Sequence, residues 1–384
     1  MAVLVKMGKS FLIIFFLALV GYGVYYGYIS INSLRSEKTN LNGQLAKVKS
    51  NLDYMKSRNE YKINVGLQKQ VKDVESGYQD AVTVYEKLLN LKNKEKDTAK
   101  LDNQFADILG LLAKLNYASA ESSIKDLTNK ITDEQNKIAS SFQPPKTAVQ
   151  SNTPPSSGYQ AQTVSTDIGS FFVEIVSADL NSTRVIVDSA SDSDCGNNCP
   201  VMPLVDYVSR SGAYAGVNGS YFCPADYPSC AGKTNSFDTL LMNKNKHYLN
   251  SDNNIYSTVP AVIFSGNSAR FVTQSLQWGR DTSVDSVLAM QPLLVLNGNI
   301  TFTGGGQPKE GAKGSRSFVG TTGSTVYIGV VFNATVAESA YVLHSMGIQN
   351  ALNLDDGGST ALWDGGYKAG PGRNLPNALL FVRK

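Results

Sequence analysis

Hydrophobic positions along this chain first form a long uninterrupted run. Residues 11–31 are uncharged, apolar and aromatic, and are long enough to cross roughly 30 Å of hydrocarbon, with Lys6 and Lys9 before them. We predict a transmembrane signal anchor there, preceded by a cytoplasmic tail at residues 1–10. A cleaved signal peptide is the alternative, but tyrosines occupy the place where small cleavage-site residues belong. The predicted localisation is a single-pass protein of the cell membrane, with its C-terminal domain outside the cytoplasm.

Beyond this run, the spacing of apolar residues alternates between three and four. It predicts a coiled-coil helix over residues 32–91, with a stutter at residues 59–66 that unwinds the supercoil without ending the helix. A homo-oligomer formed through this coil is expected. A charged corner follows at residues 92–97, and two further apolar stripes predict a helical hairpin over residues 99–140. Residues 141–162 are rich in Pro and Ser and predict a flexible linker.

The hydrophobic period becomes that of short strands in residues 163–384. Runs such as Phe172–Val176 and Thr325–Phe332 are rich in β-branched and aromatic residues, and clusters of Gly, Asn, Asp and Ser separate them. One convincing helix is predicted over Val336–Met346, with Gly347 as its stop. The pattern predicts an α+β domain with a mixed sheet and few helices, preceded by the transmembrane helix and the coiled-coil stalk.

Composition narrows the class of protein. With 384 residues, of which 42% are hydrophobic, the chain can bury a substantial core, and its net charge of +3 excludes the strongly basic character of a nucleic-acid-binding protein. All four cysteines lie in the strand-rich region. Local disulfides, Cys195 with Cys199 and Cys223 with Cys230, are the simplest interpretation in a domain that faces outside. A four-thiolate zinc site is the alternative.

The run from Asn350 to Thr360 carries the strongest candidate chemistry. A hydrophobic strand leads directly into two carboxylates, a glycine pair whose N–H groups suit an anion, and two hydroxyl side chains. These polar and glycine positions are Asp355, Asp356, Gly357, Gly358, Ser359 and Thr360. An ordinary tight turn has a similar Asp-Gly-Gly composition, so the run needs support from its neighbours.

Four further motifs supply that support. With the Asp355 run, their order and separation resemble the phosphodiester glycosidase family, from about Phe171 to the C-terminus. They are Val217-Asn218-Gly219-Ser220-Tyr221-Phe222, Pro292-Leu293-Leu294 with Gly298, Ser315-Arg316-Ser317-Phe318-Val319-Gly320 and Arg373-Asn374-Leu375-Pro376-Asn377-Ala378-Leu379. The resemblance implies hydrolysis of a sugar-1-phosphodiester bond. The N-terminal helical region lies outside it.

Cleavage of such a bond creates positive charge at the anomeric carbon and releases a phosphate whose negative charge needs neutralising. The resemblance implies that Asp355 orients water or stabilises the cation, that Arg316 offers a fork to two phosphate oxygens, and that Asn218 holds sugar hydroxyls or the water. A surface ion pair for Arg316 and a turn at Asn218 are the simpler alternatives. The expected substrate-binding residues are Asp356, Gly357, Gly358, Ser359, Thr360, Ser315, Arg373 and Tyr221.

The chain departs from the family pattern at Asp356, where members commonly have a glycine. This second carboxylate either tunes Asp355 by like-charge coupling or, with it, recruits a divalent cation such as calcium, although no cofactor is required. The expected partner is a glycosyl-phosphate-containing polymer or glycoconjugate of a bacterial cell envelope. The alternatives are a non-catalytic surface protein that binds glycan or teichoic acid, and a coiled-coil envelope scaffold.

Overall fold

The structure is a computed structural model, and it describes residues 2–92, 97–252, 257–305 and 308–384. The charged corner predicted at residues 92–97 lies almost wholly outside these ranges. The chain divides into two compact units, Met1–Ser76 and Gly77–Lys384. The second unit contains the candidate site.

The first unit is helical. It consists of helix α1 (Ala2–Ser57) and the first turns of helix α2 (Asn59–Lys92). The hydroxyl of Ser57 donates to the carbonyl oxygen of Tyr54 at 2.7 Å, and the helix is interrupted at the next residue, Arg58. The predicted helix over residues 32–91 is therefore two helices, because the break ends the first one instead of locally unwinding it. Its apolar stripe is exposed along α1, at Leu41, Leu45, Val48, Leu52 and Met55.

The prediction of a transmembrane anchor at residues 11–31 is wrong. Across the described ranges, no helix combines the length and the hydropathy that a membrane crossing requires. This segment is part of α1. The cytoplasmic tail at residues 1–10, the attachment to a membrane and the single-pass localisation all depended on this anchor, so these predictions are withdrawn with it.

The second unit begins with three helices that share one apolar core. They are the C-terminal turns of α2, helix α3 (Ala99–Ala113) and helix α4 (Tyr117–Ser141). The helices approach closely at Gly77, where an added Cβ would lie 2.9 Å from a methyl group of Leu112. The core residues are Ala81, Val84, Leu88, Leu91, Ile108, Leu112, Ala120, Ile124, Leu127 and Ile131. We call residues 77–141, without the undescribed corner, the helical module.

Short strands build the remainder of the second unit, with three further helices, α5 (Leu204–Ser211), α6 (Pro308–Gly311) and α7 (Val336–Ser345). The prediction of an α+β domain with few helices is confirmed. Strand β2 begins at Gly158, so the end of the segment predicted as a linker belongs to a sheet. The strands are β1 (Val149–Gln150), β2 (Gly158–Thr166), β3 (Gly169–Asp179), β4 (Thr183–Ser189), β5 (Ala215–Asn218), β6 (Leu241–Met242), β7 (Tyr248–Leu249), β8 (Ala261–Ser265), β9 (Ser268–Val272), β10 (Ser286–Ala289), β11 (Leu293–Leu296), β12 (Asn299–Ile300), β13 (Gly314–Thr322), β14 (Thr325–Ala334), β15 (Asn350–Asp356), β16 (Leu362–Asp364), β17 (Tyr367–Ala369) and β18 (Asn377–Arg383).

In the part of the chain that the structure describes, the strands form three sheets. The largest has the order β1-β2-β3-β14-β13-β15-β11-β12, and the two smaller ones have the orders β7-β6-β10-β8-β9 and β17-β16-β5-β18-β4. Strands β1 and β2 pair in parallel, whereas β13 pairs antiparallel with both β14 and β15, so the largest sheet is mixed. Apolar side chains from all three sheets meet in one core, which includes Val176, Val217, Leu288, Leu354 and Phe381.

Helix α7 precedes strand β15, which ends in the two carboxylates. It begins with a capping box, in which Thr335 accepts from the N–H of Glu338 at 3.1 Å and Glu338 accepts from the N–H of Thr335 at 2.7 Å. Its apolar side covers the largest sheet through Val336, Ala340 and Leu343. Strand β15 follows at once and lies between β13 and β11, so Asp355 and Asp356 sit at the end of a central strand.

Both predicted disulfides are present and confirmed. Cys195 is bonded to Cys199, and Cys223 is bonded to Cys230. These bonds use all four cysteines of the chain, so the alternative of a four-thiolate zinc site is excluded. The second disulfide closes residues 223–230 into a loop, which we call the disulfide loop.

Candidate functional site

A β-bulge shapes the end of β15. Strand β13 pairs Arg316 with Asp356 and Phe318 with Asn353, so two residues of β15, Leu354 and Asp355, face one residue of β13. Because of the extra residue, Asn353 and Asp356 reach the same side, and the amide of Asn353 donates to Asp356 Oδ2 at 3.1 Å. The bulge therefore re-aims the last residues of the strand.

Asn218, at the end of β5, holds the bulge. Its amide nitrogen donates to the carbonyl oxygen of Asp355 at 2.7 Å, and its Oδ1 accepts from the hydroxyl of Ser317 at 2.8 Å and from the N–H of Ala361 at 3.0 Å. The next residue, Gly219, accepts from the N–H of Asp355 at 2.9 Å. Asn218 is 0% exposed. The structure thus gives it a positioning role instead of the predicted contact with a sugar or water.

Close backbone approach explains the glycine after Asn218. An added Cβ at Gly219 would lie 1.9 Å from Oδ1 of Asn377. That amide forms two hydrogen bonds with Ser220, accepting from its N–H at 2.9 Å and donating to its hydroxyl at 2.8 Å. The Asn-Gly pair is thus a site where two strands meet, and the structure joins the motifs around Asn218 and Arg373.

The guanidinium group of Arg316 donates hydrogen bonds to acceptors of the protein itself. Its Nη1 donates to Asp356 Oδ2 at 3.0 Å, its Nε donates to the carbonyl oxygen of Ala334 at 2.9 Å, and its Nη2 donates to the carbonyl oxygen of Ala312. The side chain is 7% exposed. The fork that was predicted to bind two phosphate oxygens therefore neutralises Asp356 instead.

Asp356 is surrounded by hydrogen-bond donors. In addition to Arg316, the backbone N–H of Ser317 donates to its Oδ1 at 3.2 Å, and the hydroxyl of Tyr221 lies 3.4 Å from its Oδ2. Burial raises the pKa of Asp356, and the charge of Arg316 opposes the rise. In the described part of the chain, no three His, Cys, Asp or Glu side chains are grouped as metal ligands. Tyr221, predicted to bind substrate, is part of this buried network.

Asp355 has a different environment from its neighbour. It is 8% exposed, and burial raises its pKa to about 7, with a further rise from the charge of Asp356. Hydrogen bonds from the hydroxyl of Ser359 and from the N–H of Asp356, the latter at 2.9 Å, and the charge of Arg373 oppose this rise. A carboxyl group whose pKa lies near neutrality is suited to exchange protons at physiological pH.

A cavity of about 380 Å³ opens beside this strand end. Five of the predicted substrate-binding residues line it, whereas Ser359, Asp356 and Tyr221 do not. The three predicted catalytic residues, Asp355, Arg316 and Asn218, do not line it either. The lining residues are Ser315, Phe332, Gly357, Gly358, Thr360, Ala369, Gly370, Gly372 and Arg373. The cavity is therefore bounded by glycines, two hydroxyl-bearing residues, one aromatic ring and one cation.

Arg373 is held in place at the wall of this cavity. Its Nη2 donates to Asp226 Oδ2 at 2.9 Å, and its guanidinium carbon lies 5.1 Å from the centroid of the Tyr227 ring. An added Cβ at Gly358 would lie 2.5 Å from its Nη1, so the guanidinium occupies the space that any side chain at residue 358 would need. The sequence predicted Arg316 as the main phosphate-binding cation and Arg373 only as a further substrate-binding residue. The structure places Arg373, and not Arg316, in the wall of the cavity.

Sequence reasoning missed two residues that support the site and a buried glutamate elsewhere in the largest sheet. Asp226 and Tyr227 lie inside the disulfide loop, for which the sequence predicted only the bond between Cys223 and Cys230. Glu174 is buried in the middle of β3, accepts from the hydroxyl of Tyr159 at 3.0 Å, and has an Oε2 without a hydrogen-bond partner in the described structure. Burial raises its pKa. A glutamate within the apolar run Phe172–Val176 was the available signal.

Comparison with known proteins supports the family resemblance. Residues 211–382 match the model of the phosphodiester glycosidase family. No curated protein is significantly similar to the chain. A hypothetical protein from Synechocystis is 13% identical, with a TM-score of 0.42, and the match covers 59% of this chain and 62% of that one.

Two other solved structures are also similar. The catalytic domain of zebrafish N-acetylglucosamine-1-phosphodiester alpha-N-acetylglucosaminidase, auto-inhibited by its pro-peptide, is 14% identical with a TM-score of 0.45, over 62% of this chain and 87% of that one. A putative exported protein from Burkholderia pseudomallei K96243 is 11% identical with a TM-score of 0.36, over 56% of this chain and 74% of that one. The family match at residues 211–382 confirms that the C-terminal half of this chain is similar to the phosphodiester glycosidases.

Proposed function

We propose that this protein hydrolyses the bond between the anomeric carbon of a sugar and the oxygen of a phosphodiester. One observation carries the proposal: a buried carboxyl group with a pKa of about 7, Asp355, interacts electrostatically with the cavity cation Arg373. A binding site for phosphate alone needs the cation but not the carboxylate. Hydrolysis needs both, because positive charge develops on the sugar while negative charge leaves with the phosphate.

In the proposed reaction, ionised Asp355 takes a proton from a water molecule as the water oxygen bonds to the anomeric carbon. The bond from this carbon to the phosphate oxygen breaks, and its electron pair leaves with the phosphate monoester. Arg373 neutralises that leaving group from the cavity wall, where Gly357, at which an added Cβ would meet nothing within 4 Å, leaves room for phosphate oxygens near the backbone. The products are a free sugar and a phosphate monoester.

The second carboxylate sets the electrostatics of the first. Arg316 holds Asp356 in its charged form, and this fixed charge raises the pKa of Asp355. Because the oxygens of Asp356 already accept from Arg316, Ser317 and Asn353, we propose that it tunes Asp355 and does not bind calcium. Dialysis against EDTA tests this role: activity is expected to persist, and recovery of lost activity by calcium would contradict it.

Release of free sugar from a UDP-sugar and from a synthetic glycosyl phosphodiester tests the proposed reaction. We expect turnover by the full chain, a loss of at least about a hundredfold in Asp355→Asn, and a large loss in Arg373→Met. Arg383→Met is the matched control, because Arg383 is an exposed arginine at the other end of β18. Absence of turnover by the wild-type chain on all phosphodiester substrates, or full activity of Asp355→Asn, would refute the proposal.

We propose a glycosyl-phosphate polymer or glycoconjugate of a bacterial cell envelope as the substrate. The glycines and hydroxyl-bearing residues that line the cavity, together with Arg373, are compatible with a polar, charged substrate. Incubation with purified wall polymer distinguishes the enzyme from a non-catalytic binder. Release of reducing sugar supports hydrolysis, whereas retention of the polymer without release supports the binder.

We also propose that the chain self-associates through the exposed stripe on α1. Leu45, Val48 and Leu52 recur at heptad spacing and are exposed in the single chain, an arrangement that pairing of two helices would bury. Sedimentation of the wild-type chain is expected to show a dimer or larger species. Leu45→Lys combined with Leu52→Lys is expected to give a monomer, and a wild-type monomer would exclude this contact.

A further inference from the structure

The helical module touches the candidate site through the disulfide loop. The carboxylate of Glu86 on α2 accepts from the backbone N–H of Ser229 at 3.1 Å, and Asn90, one turn further on, accepts from the hydroxyl of Tyr227. Glu86 is 8% exposed, and Tyr227 is buried. Polar groups that are buried in this way are oriented by their hydrogen bonds, so these contacts fix the loop against α2.

The same loop holds the cavity cation. Asp226 forms the ion pair with Arg373 described above, and the hydroxyl of Tyr227 is hydrogen-bonded to Arg373 while it donates to Asn90. The disulfide between Cys223 and Cys230 restricts the loop that carries both residues. An unbroken series of contacts therefore runs from α2 through Tyr227 to the guanidinium group.

We propose that helix α2 positions Arg373 for anion binding, through Glu86, Asn90 and the disulfide loop. The helical module is then a part of the site and not a spacer. The inference deepens the proposed function, since it concerns the group that receives the departing phosphate. Asn90 and Glu86 are positioning residues, because they act on the anion only through the loop and Arg373.

The contacts of Arg373 favour a role in positioning its side chain over a role in fold stability alone. Arg373 has a flexible side chain, and an arginine that is left to sample several rotamers must lose that freedom when it binds an anion. Three contacts leave the Arg373 side chain little freedom. Asp226 forms an ion pair with the guanidinium group, the ring of Tyr227 lies against it, and Gly358 has no side chain that would displace it. Removal of the Asn90 acceptor frees the hydroxyl of Tyr227, and the expected effect is weaker anion binding.

Calorimetric titration of the full chain with inorganic phosphate tests this inference. Asn90→Leu is expected to weaken phosphate binding about 3- to 10-fold, which corresponds to the loss of one hydrogen bond in the series. Asn90→Asp keeps an acceptor for Tyr227 and is expected to bind within about twofold of wild type. Gln79→Leu, an exposed amide replaced on the same helix, is the matched control and is expected to bind like wild type.

Tyr227→Phe provides a second route that keeps the aromatic ring over Arg373. It is expected to weaken phosphate binding at least as much as Asn90→Leu, because it removes the hydroxyl's bonds to both Asn90 and Arg373. The double variant with Asn90→Leu is expected to be no weaker than Tyr227→Phe alone, because the bond to Asn90 is already absent there. For a glycosyl phosphodiester substrate, both variants are expected to raise KM while kcat changes by less than about twofold. If Asn90 and Tyr227 had a purely structural role, the variants would have a lower melting temperature but no selective rise in KM.

The outcomes separate the inference from the proposed function. If wild type binds no phosphate, or if Arg373→Met binds it as well as wild type, the anion contact is refuted and the inference falls with it. If Arg373→Met loses binding while Asn90→Leu and Tyr227→Phe bind like wild type, the proposed function stands and the positioning role of α2 is refuted.

Discussion

Replacement of Asp355 by asparagine is expected to stabilise the protein while it removes activity. The folded protein raises the pKa of Asp355 from 3.8 to about 7, chiefly through burial. A raised pKa means that the protonated form is favoured on folding. The stabilising contribution is fully present below the unfolded-state pKa near 4 and is lost as the pH rises through 7.

The magnitude follows from the size of the rise. A difference of about three pKa units corresponds to about 4 kcal/mol, which the wild-type protein loses between pH 4 and pH 8. Asparagine has the shape of the protonated acid and carries no charge at any pH. Its Oδ1 can still accept from the N–H of Asp356, and the hydroxyl of Ser359 can rotate to accept from the new amide.

Urea unfolding at several pH values measures this effect. The two tryptophans of the chain, Trp278 and Trp363, both lie in the second unit, so their fluorescence reports the unit that contains the site. Asp355→Asn is expected to match wild type near pH 4 and to exceed it by up to about 4 kcal/mol at pH 8. Equal pH dependence in both proteins, or a less stable variant at pH 8, would show that Asp355 is not held near neutrality by burial.

Three further predictions concern the same site. The kcat/KM of the wild-type protein is expected to rise with an apparent pKa near 7, because Asp355 acts when ionised; a flat profile between pH 5.5 and 8.5 would contradict this assignment. Gly358→Ala is expected to displace Arg373 and to abolish phosphate binding in calorimetry, whereas Gly196→Ala, where an added Cβ meets nothing within 4 Å, is expected to leave it unchanged. Arg316→Met is expected to cost about 3–5 kcal/mol in urea unfolding, because it leaves Asp356 buried without its counter-ion; addition of Asp356→Asn is expected to restore part of the loss.

Sequence pattern was sufficient where the relevant contacts are local. The strand before Asp355, the helix before that strand and both disulfides involve residues close in sequence, and their periodicity or spacing indicated them directly. The transmembrane prediction also relied on a local run of residues, and it is overturned because no helix in the described ranges is long and apolar enough to cross a membrane.

The roles of the two arginines depended on contacts that spacing does not reveal. Arg316 is flanked in sequence by Ser and Gly, as an anion-binding arginine often is. In the structure its guanidinium group instead donates hydrogen bonds to the carbonyl oxygens of Ala312 and Ala334. Ala334 is the last residue of β14, and β13 and β14 shift their register between Gly314 and Arg316, opposite this end of β14. Arg373 became the cavity cation because Asp226, far away in sequence, lies beside it.

The bulge gives Asp355 and Asp356 different surroundings. In a regular strand, neighbouring side chains point to opposite faces, and Asn353 and Asp356 would be separated. The extra residue brings Asp356 to Asn353, Tyr221 and Arg316, where donors keep it charged. Asp355 is the bulged residue, so its backbone finds partners in Asn218 and Gly219 rather than in β13.

Burial raises the pKa of both adjacent carboxyl groups, but the cations near them differ. Asp356 is paired with Arg316, whereas Asp355 is buried near the charge of Arg373, which lines the cavity. The charge on Asp356 makes ionisation of Asp355 harder and adds to the rise in its pKa. Replacement of Asp356 by glycine removes this like-charge effect, so the pKa of Asp355 is expected to fall in that variant.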